Sequence, residues 1–196
     1  MGLRTFLAFD IDASAQRALA AAGRQLAPLA GKIRRVETGN LHVTLHFLGD
    51  LDAPVLADVC DVAADVAAGC DPFEFTLRGL NVMPSASSGS GRAGRRVRMV
   101  WGNVEDPTGQ MASVHESLGR GLAGLNLRVE NRRFRPHVTL MRIKFCPDAA
   151  PLRQAAEALA DIEIATCTAD EVTVYTSELT RDGPVHTPAA RCPLGR

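Results

Sequence analysis

The sequence predicts an α+β fold of two pseudo-symmetric lobes, each a mainly antiparallel sheet with helices outside, around a central groove. Three observations lead there. The tetrapeptide HVTL occurs twice, in "LHVTLHFLGD" at 41–50 and in "PHVTLMRIK" at 136–144. Both copies alternate apolar and polar residues, the period-two signature of a strand. Each copy also has a helical stretch before it and a helix with further strands after it, the layout of a weak internal duplication.

The elements follow in order. Leu3 to Asp10 alternates as a strand, with Leu3, Thr5, Leu7 and Phe9 on one side and Arg4, Phe6 and Ala8 on the other. Asp12 or Ser14 can cap a helix running to about Leu29 and ended near Gly31. A short extended piece, Ile33 to Val36, precedes the first HVTL strand, Leu41 to Leu48, which Gly49-Asp50 turns. Asp52 caps a helix with Pro54 in its first turn that ends at Gly69. Val55, Leu56, Val59, Val62, Ala63 and Val66 recur at helical spacing, so they belong to the core. Phe73 to Met83 and Val97 to Val104 read as strands, the second carrying the only tryptophan, Trp101. Between them "PSASSGSGRAGRR", 84–96, is Ser/Gly/Arg-rich with little apolar content and reads as a flexible loop rather than a domain linker. Asp106 is expected to cap a third helix from Pro107 to about Leu122, and an extended segment near Leu127 to Glu130 leads to the second HVTL strand, about His137 to Ile143. A helix near Ala150 to Ala160 follows, then strands near Ile162 to Thr168, Glu171 to Ser177 and Val185 to Cys192.

A chain of 196 residues with 46% hydrophobic and 22% charged residues can bury a sizeable core as one domain, 1–196, of two lobes. Its formal net charge of zero excludes a broad electrostatic grip on long duplex nucleic acid, although a single RNA end needs only local positive charge. Five scattered cysteines without a C-x-x-C pair fit reduced thiols in a cytoplasmic protein. No secretory signal, myristoylation pattern or membrane-length apolar run is present in this sequence, so neither membrane nor lipid anchor is expected.

On a strand, His42 and Thr44 point one way and Val43 and Leu45 the other. His137 and Thr139 repeat this against Val138 and Leu140. Histidine can give or take a proton near neutral pH, and threonine offers a hydroxyl to a phosphate oxygen. Two such units at one pocket supply a base for an attacking water, an acid for a leaving oxygen and two phosphate donors. In-line displacement at phosphorus needs that set, with neither metal nor cofactor. One H-x-T alone would be an ordinary strand pattern, since threonine favours strands; the matched pair raises its meaning. His42 and His46 share a face by simple alternation but stand about 13 Å apart on a strand, too far to share a metal ion. Sharing that face, His46 could line the cleft's edge, although a plain surface role is the preferred reading, and His115 reads as surface or packing.

With "RTFLAFDID", "NLHVTLHFLGD", "VRMVWGNVE", "FRPHVTLMRIK" and "VTVYTSELTRDGPVHTPAARCPL" in this order, the chain resembles the 2H phosphoesterases over nearly its whole length. Within them it is similar to the RNA 2′,3′-cyclic phosphodiesterases historically called 2′-5′ RNA ligases. The resemblance implies hydrolysis of an RNA 2′,3′-cyclic phosphate end to a 2′-phosphate without metal, with a weak reverse 2′-5′ ligation. It implies His42 as proton donor, His137 as proton acceptor, Thr44 and Thr139 on the phosphate, and Arg142 as the family's phosphate arginine. Alternation alone would turn Arg142 away from His137, so the strand has to bulge or end there. The expected partner is an RNA 3′ end bearing a cyclic phosphate, tRNA halves among them, met by a monomer. Phe47, Arg135 and His186 are candidate RNA contacts, and Phe134 a further aromatic candidate, with core packing the alternative for both phenylalanines. Two departures stand out: Arg35 occupies a position where members often carry Trp, and His186 one where many carry Tyr. Arg92, Arg95, Arg96, Arg132, Arg133 and Arg135 could form a basic rim or a solvated surface. Other readings are a 2H phosphodiesterase for a cyclic nucleotide, an ADP-ribose cyclic phosphate or a 2′-5′ oligoadenylate, and an RNA-end-binding module without chemistry.

Overall fold

Local chemistry starts and stops the helices. Asp12 accepts hydrogen bonds from the backbone N–H groups of Ser14 and Ala15 and opens helix α1 (Ala13–Leu26). Gly31, at φ +68°, ends the short 3-10 turn behind it. Asp52 accepts from Val55 and opens α2 (Ala53–Ala68), which stops at Gly69. Helix α3 (Gln110–Gly124) begins later than its aspartate suggests. Asp106 instead builds a turn, accepting from Thr108 and Met111, and Gly109 in the left-handed region becomes the helix cap. The fourth helix, α4 (Ala150–Glu157), completes the set.

The computed structural model describes residues 2–84, 97–127, 133–181 and 183–195. The proposed loop, apart from Pro84, and the 128–130 extended segment lie outside the described residues, as do Arg92, Arg95, Arg96 and Arg132. Nine strands occur among the described residues: β1 (Leu3–Asp10), β2 (Lys32–Arg35), β3 (His42–Leu51), β4 (Phe73–Pro84), β5 (Val97–Glu105), β6 (His137–Phe145), β7 (Glu163–Ala169), β8 (Glu171–Leu179) and β9 (Pro184–Pro193). They form one curled antiparallel sheet in the order β7-β4-β5-β6-β3-β1-β8-β9, with β2 also paired to β6.

Two lobes are therefore present, but their sheets are continuous. The join is a single rung, Val43 opposite Val138. Beyond it, β2 takes the remaining edge of β6, from Met141 to Phe145, and Val36 donates to the carbonyl of Leu140. Strands β3 and β6 thus touch once and diverge, which leaves a groove on the face opposite the helices. Nor are the lobes the two halves of the sequence. The lobe of His42 takes β1 and β3 from the start of the chain and β8 and β9 from its end; the lobe of His137 takes β4 to β7 from between them, with β2 from the start on the edge of β6. The helices exchange as well: α1 packs on β7 and β6, while α2 packs on β8 and β9 and α3 on α2 and β3.

One apolar core lies between the sheet and the helices. Val43 and Val138 are fully buried in it with Leu7, Phe9, Leu19 and Leu118. None of the described helices is long and apolar enough to cross a membrane.

Candidate active site

The rung between the two HVTL strands fixes the site. Val43 and Val138 turn into the core, so His42, Thr44, His137 and Thr139 turn to the groove, each half-buried. Extending the register by one residue sets His42 opposite Thr139 and Thr44 opposite His137. The two histidines then lie diagonally across the rung on the groove face, near enough for His137 to oppose protonation of His42. One phosphate-sized group can lie between them.

Each HVTL strand carries the same defect at the same point. In β3, Leu7 faces His46 and Ala8 faces Thr44, so Leu45 is an extra residue. In β6, Val100 faces Met141 and Trp101 faces Thr139, so Leu140 is extra. A one-residue bulge reverses the facing of everything after it. Leu45 and His46 are consequently both buried, as are Leu140 and Met141, while Phe47 and Arg142 swing onto the H-x-T face and stand exposed. The expectation that His46 shares the face of His42 is wrong for this reason. His46 is only 3% exposed; its Nε2 donates to the carbonyl of His115 at 2.8 Å. Its ring stacks on His115 at 4.1 Å, and His115 stacks in turn on Phe134 at 4.1 Å. Phe134 belongs to that stack and not to the groove lining.

The groove holds a cavity of about 500 Å³ whose lining includes His42, Thr44, Thr139, Arg142, Phe47 and His186. His137 stands beside it, 4.8 Å from the ring of Trp101, whose Nε1 donates to Asn103. Its Nδ1 donates to the carbonyl of Arg135 at 2.8 Å. Arg135 thus serves through its backbone; its side chain is exposed and outside the cavity lining. The His42 ring hydrogen-bonds to the backbone of Asn40, again two residues before it. Both imidazoles are aimed by the same local device.

His42 lies in an aromatic nest. Phe6 stacks on it at 4.9 Å and on Tyr175 at 5.2 Å. His186 meets both Phe6 and His42 edge-on, at 4.9 and 5.7 Å. Burial, then the charge of His186, pushes the His42 imidazolium down to about 4, against opposing pulls from the Asn40 backbone and the Asp10 carboxylate. Asp10 accepts from Tyr175 at 2.8 Å and from Thr173 at 3.1 Å. Burial and this carboxylate raise the Tyr175 phenol, which stays neutral. His115 is also pushed down to about 4, by burial and then by His46.

Sequence reasoning missed Phe6, Asp10, Trp101 and a set of arginines, Arg4, Arg34 and Arg35, that line the cavity with Arg142. Phe6 and Trp101 lie on the strands beside the HVTL copies, so strand order had to be known first. Arg35 was visible only as a departure from a family pattern.

The family model described as the 2′-5′ RNA ligase superfamily matches residues 15–181. The chain belongs to that superfamily. Among its relatives, a protein of Methanothermobacter thermautotrophicus named RNA 2′,3′-cyclic phosphodiesterase is 31% identical over 95% of this chain and 96% of its own. The crystal structure of Escherichia coli LigT complexed with 3′-AMP is similar with a TM-score of 0.75 and 25% identity, covering all of both chains. TT0787 of Thermus thermophilus shares the fold at a TM-score of 0.77 over 98% of this chain and 99% of its own. The superfamily match spans both HVTL strands, Phe47 and Arg142, and leaves β1 and β9, with Phe6 and His186, outside its limits.

Proposed function

We propose that this protein is an RNA 2′,3′-cyclic phosphodiesterase that converts cyclic phosphate ends to 2′-phosphates, using its paired H-x-T strands and no metal. The Val43–Val138 rung carries the reading, because it turns two His/Thr pairs onto one groove face. Relatives that match over at least 94% of this chain bear that enzyme's name.

His137 accepts a proton from water, and the water oxygen bonds to phosphorus as the bond to the 3′ oxygen breaks. His42 gives its proton to that oxygen, leaving a 3′-hydroxyl and a 2′-phosphate. Exchange with solvent restores both rings. Thr44 and Thr139 donate to the non-bridging oxygens, and Arg142 balances their charge. Phe47, His186 and the Arg135 segment flank the path of the RNA. With a 5′-hydroxyl in place of the attacking water, the same forward steps form a 2′-5′ phosphodiester as the bond to the 3′ oxygen breaks and that oxygen takes the His42 proton, a weak ligation. The reading has a cytoplasmic monomer acting on RNA ends such as those of tRNA halves.

The test is turnover of an oligonucleotide ending in a 2′,3′-cyclic phosphate, with excess EDTA present. Full activity under chelation is expected, with His42→Ala and His137→Ala each lowering kcat by about 10²–10⁴. Wild-type turnover in both variants, or abolition by EDTA, refutes the mechanism.

A further inference from the structure

The cavity is more basic than its chemistry needs. Arg4, Arg34, Arg35 and Arg142 line it against one acid, Glu37, in a chain whose net charge is zero. A terminal cyclic phosphate carries a single negative charge. Arg142 and the two threonines already answer it.

Arg34 is the informative member. It lies directly opposite Arg142 across the β2–β6 pairing. Like charges at such positions repel and destabilise a sheet. Neither guanidinium forms an ion pair among the described residues. The Arg34 side chain crosses the groove: its Nη2 comes within 3.4 Å of where a side chain on Gly183 would begin, in the β8–β9 connection of the other lobe. Asn40 reaches the same wall, its amide donating to the carbonyl of Pro184 at 3.0 Å. Arg34 therefore reaches over the groove, next to a second cation and with no carboxylate in ion-pair range among the described residues. A second anion beside Arg34 relieves the repulsion and gains charge-assisted hydrogen bonds from it, while Arg142 stays with the cyclic phosphate.

Thr139 and Arg142 are three residues apart on β6, roughly 10 Å at strand spacing and less across the bulge. One nucleotide unit and the reach of an arginine cover that span. We propose that Arg34, opposite Arg142, forms a second phosphate subsite, which takes the phosphate on the 5′ side of the terminal nucleotide. The substrate class is then a terminal nucleotide with a 5′ phosphate or phosphodiester, and a nucleoside 2′,3′-cyclic phosphate alone is a poor substrate. This rests on the phosphodiesterase reading above.

Three probes separate phosphate from base: adenosine 2′,3′-cyclic phosphate, its 5′-phosphorylated form, and the dinucleotide ApA with a 2′,3′-cyclic phosphate end. Wild-type kcat/KM should favour both longer probes over the first by about tenfold, the worth of one charged hydrogen-bonded contact. In Arg34→Gln that ratio should fall to within about twofold, because the contact is gone. Dissociation constants, read from quenching of Trp101, should show the same ratios. For the dinucleotide, the fall of log K with log salt should be steeper by about 0.7 in the wild type than in the variant. A preference for ApA but not for the 5′-phosphorylated nucleoside would assign the gain to the second base and overturn the proposal. So would a preference that survives in Arg34→Gln. If no probe is turned over, the catalytic reading fails, and the dissociation constants alone decide whether the second phosphate site exists.

Discussion

Binding of substrate phosphate should pull a proton onto His42. Its imidazolium is held down to about 4 by burial and by His186. Protonating it at pH 7 therefore costs about 4 kcal/mol, three pH units at 1.36 kcal/mol each. A phosphate anion about 4 Å away returns about 4 kcal/mol at an effective dielectric constant near 20. The two cancel, so the bound anion lifts His42 to near 7, where a proton donor works best. The assay is calorimetric titration with a nucleoside 3′-(methyl phosphodiester), whose single charge does not titrate near neutrality, in buffers of different ionisation enthalpy. Uptake should be nearly one proton per ligand at pH 5.5, about half at pH 7 and close to none at pH 8.5. His42→Gln should remove most of it. No uptake between pH 5.5 and 7, or uptake unchanged in His42→Gln, would refute the reasoning and favour the opposite assignment, with His42 as the base.

Further predictions follow from other contacts. His186→Phe removes a charge that opposes protonation of His42, so the acid-side limb of log(kcat/KM) should move up in pH, by up to about one unit; an unmoved limb would detach His186 from His42. Stability should fall in acid. His42 and His115 both hold protons less well in the fold than in the unfolded chain, so their contribution is complete above about pH 6.5 and is lost as the pH drops towards 4. For His42 the loss amounts to about 3 kcal/mol, and denaturant midpoints across this range should show His42→Gln and His115→Gln each flattening the decline. Gly79 sits at φ +70° in the β4 bulge, where an added Cβ would run into the Ala160 carbonyl. Gly79→Ala should cost more than the ~1–2 kcal/mol of left-handed strain alone, as a lowered thermal midpoint with kinetics unchanged in the surviving fold. Arg142→Lys keeps the charge but loses the planar fork, and should lower kcat/KM by about tenfold or more, with less effect on stability.

Much of this architecture was legible locally. Asp12, Asp52 and Gly69 mark helix ends through their own chemistry, and the HVTL alternation gives which side of each strand meets the core. The bulges were not legible, because an extra residue on one strand is defined only by its partner. That is why His46 was assigned to the wrong face and why Arg142 required a departure from alternation. Asp106 looked like a helix cap and instead folds a turn, since Gly109 provides the left-handed step. Lobe composition also escaped a linear reading, because no local pattern states that β1 pairs with β8 across more than 160 residues. The arginines of β2 were hidden for the same reason: Arg34 means little until Arg142 stands opposite it.

Interleaving the chain's two ends in one lobe has a consequence for biosynthesis. The wall behind His42 includes Tyr175 and His186, so it cannot close while the ribosome is still making the last strands. The second lobe needs β4 to β7 with α1 and β2, all made before β8, and can assemble earlier. A nascent polypeptide should thus carry a finished His137 lobe and an unfinished His42 lobe. The protein gains its chemistry in one late step, and shortened translation products should have none of it.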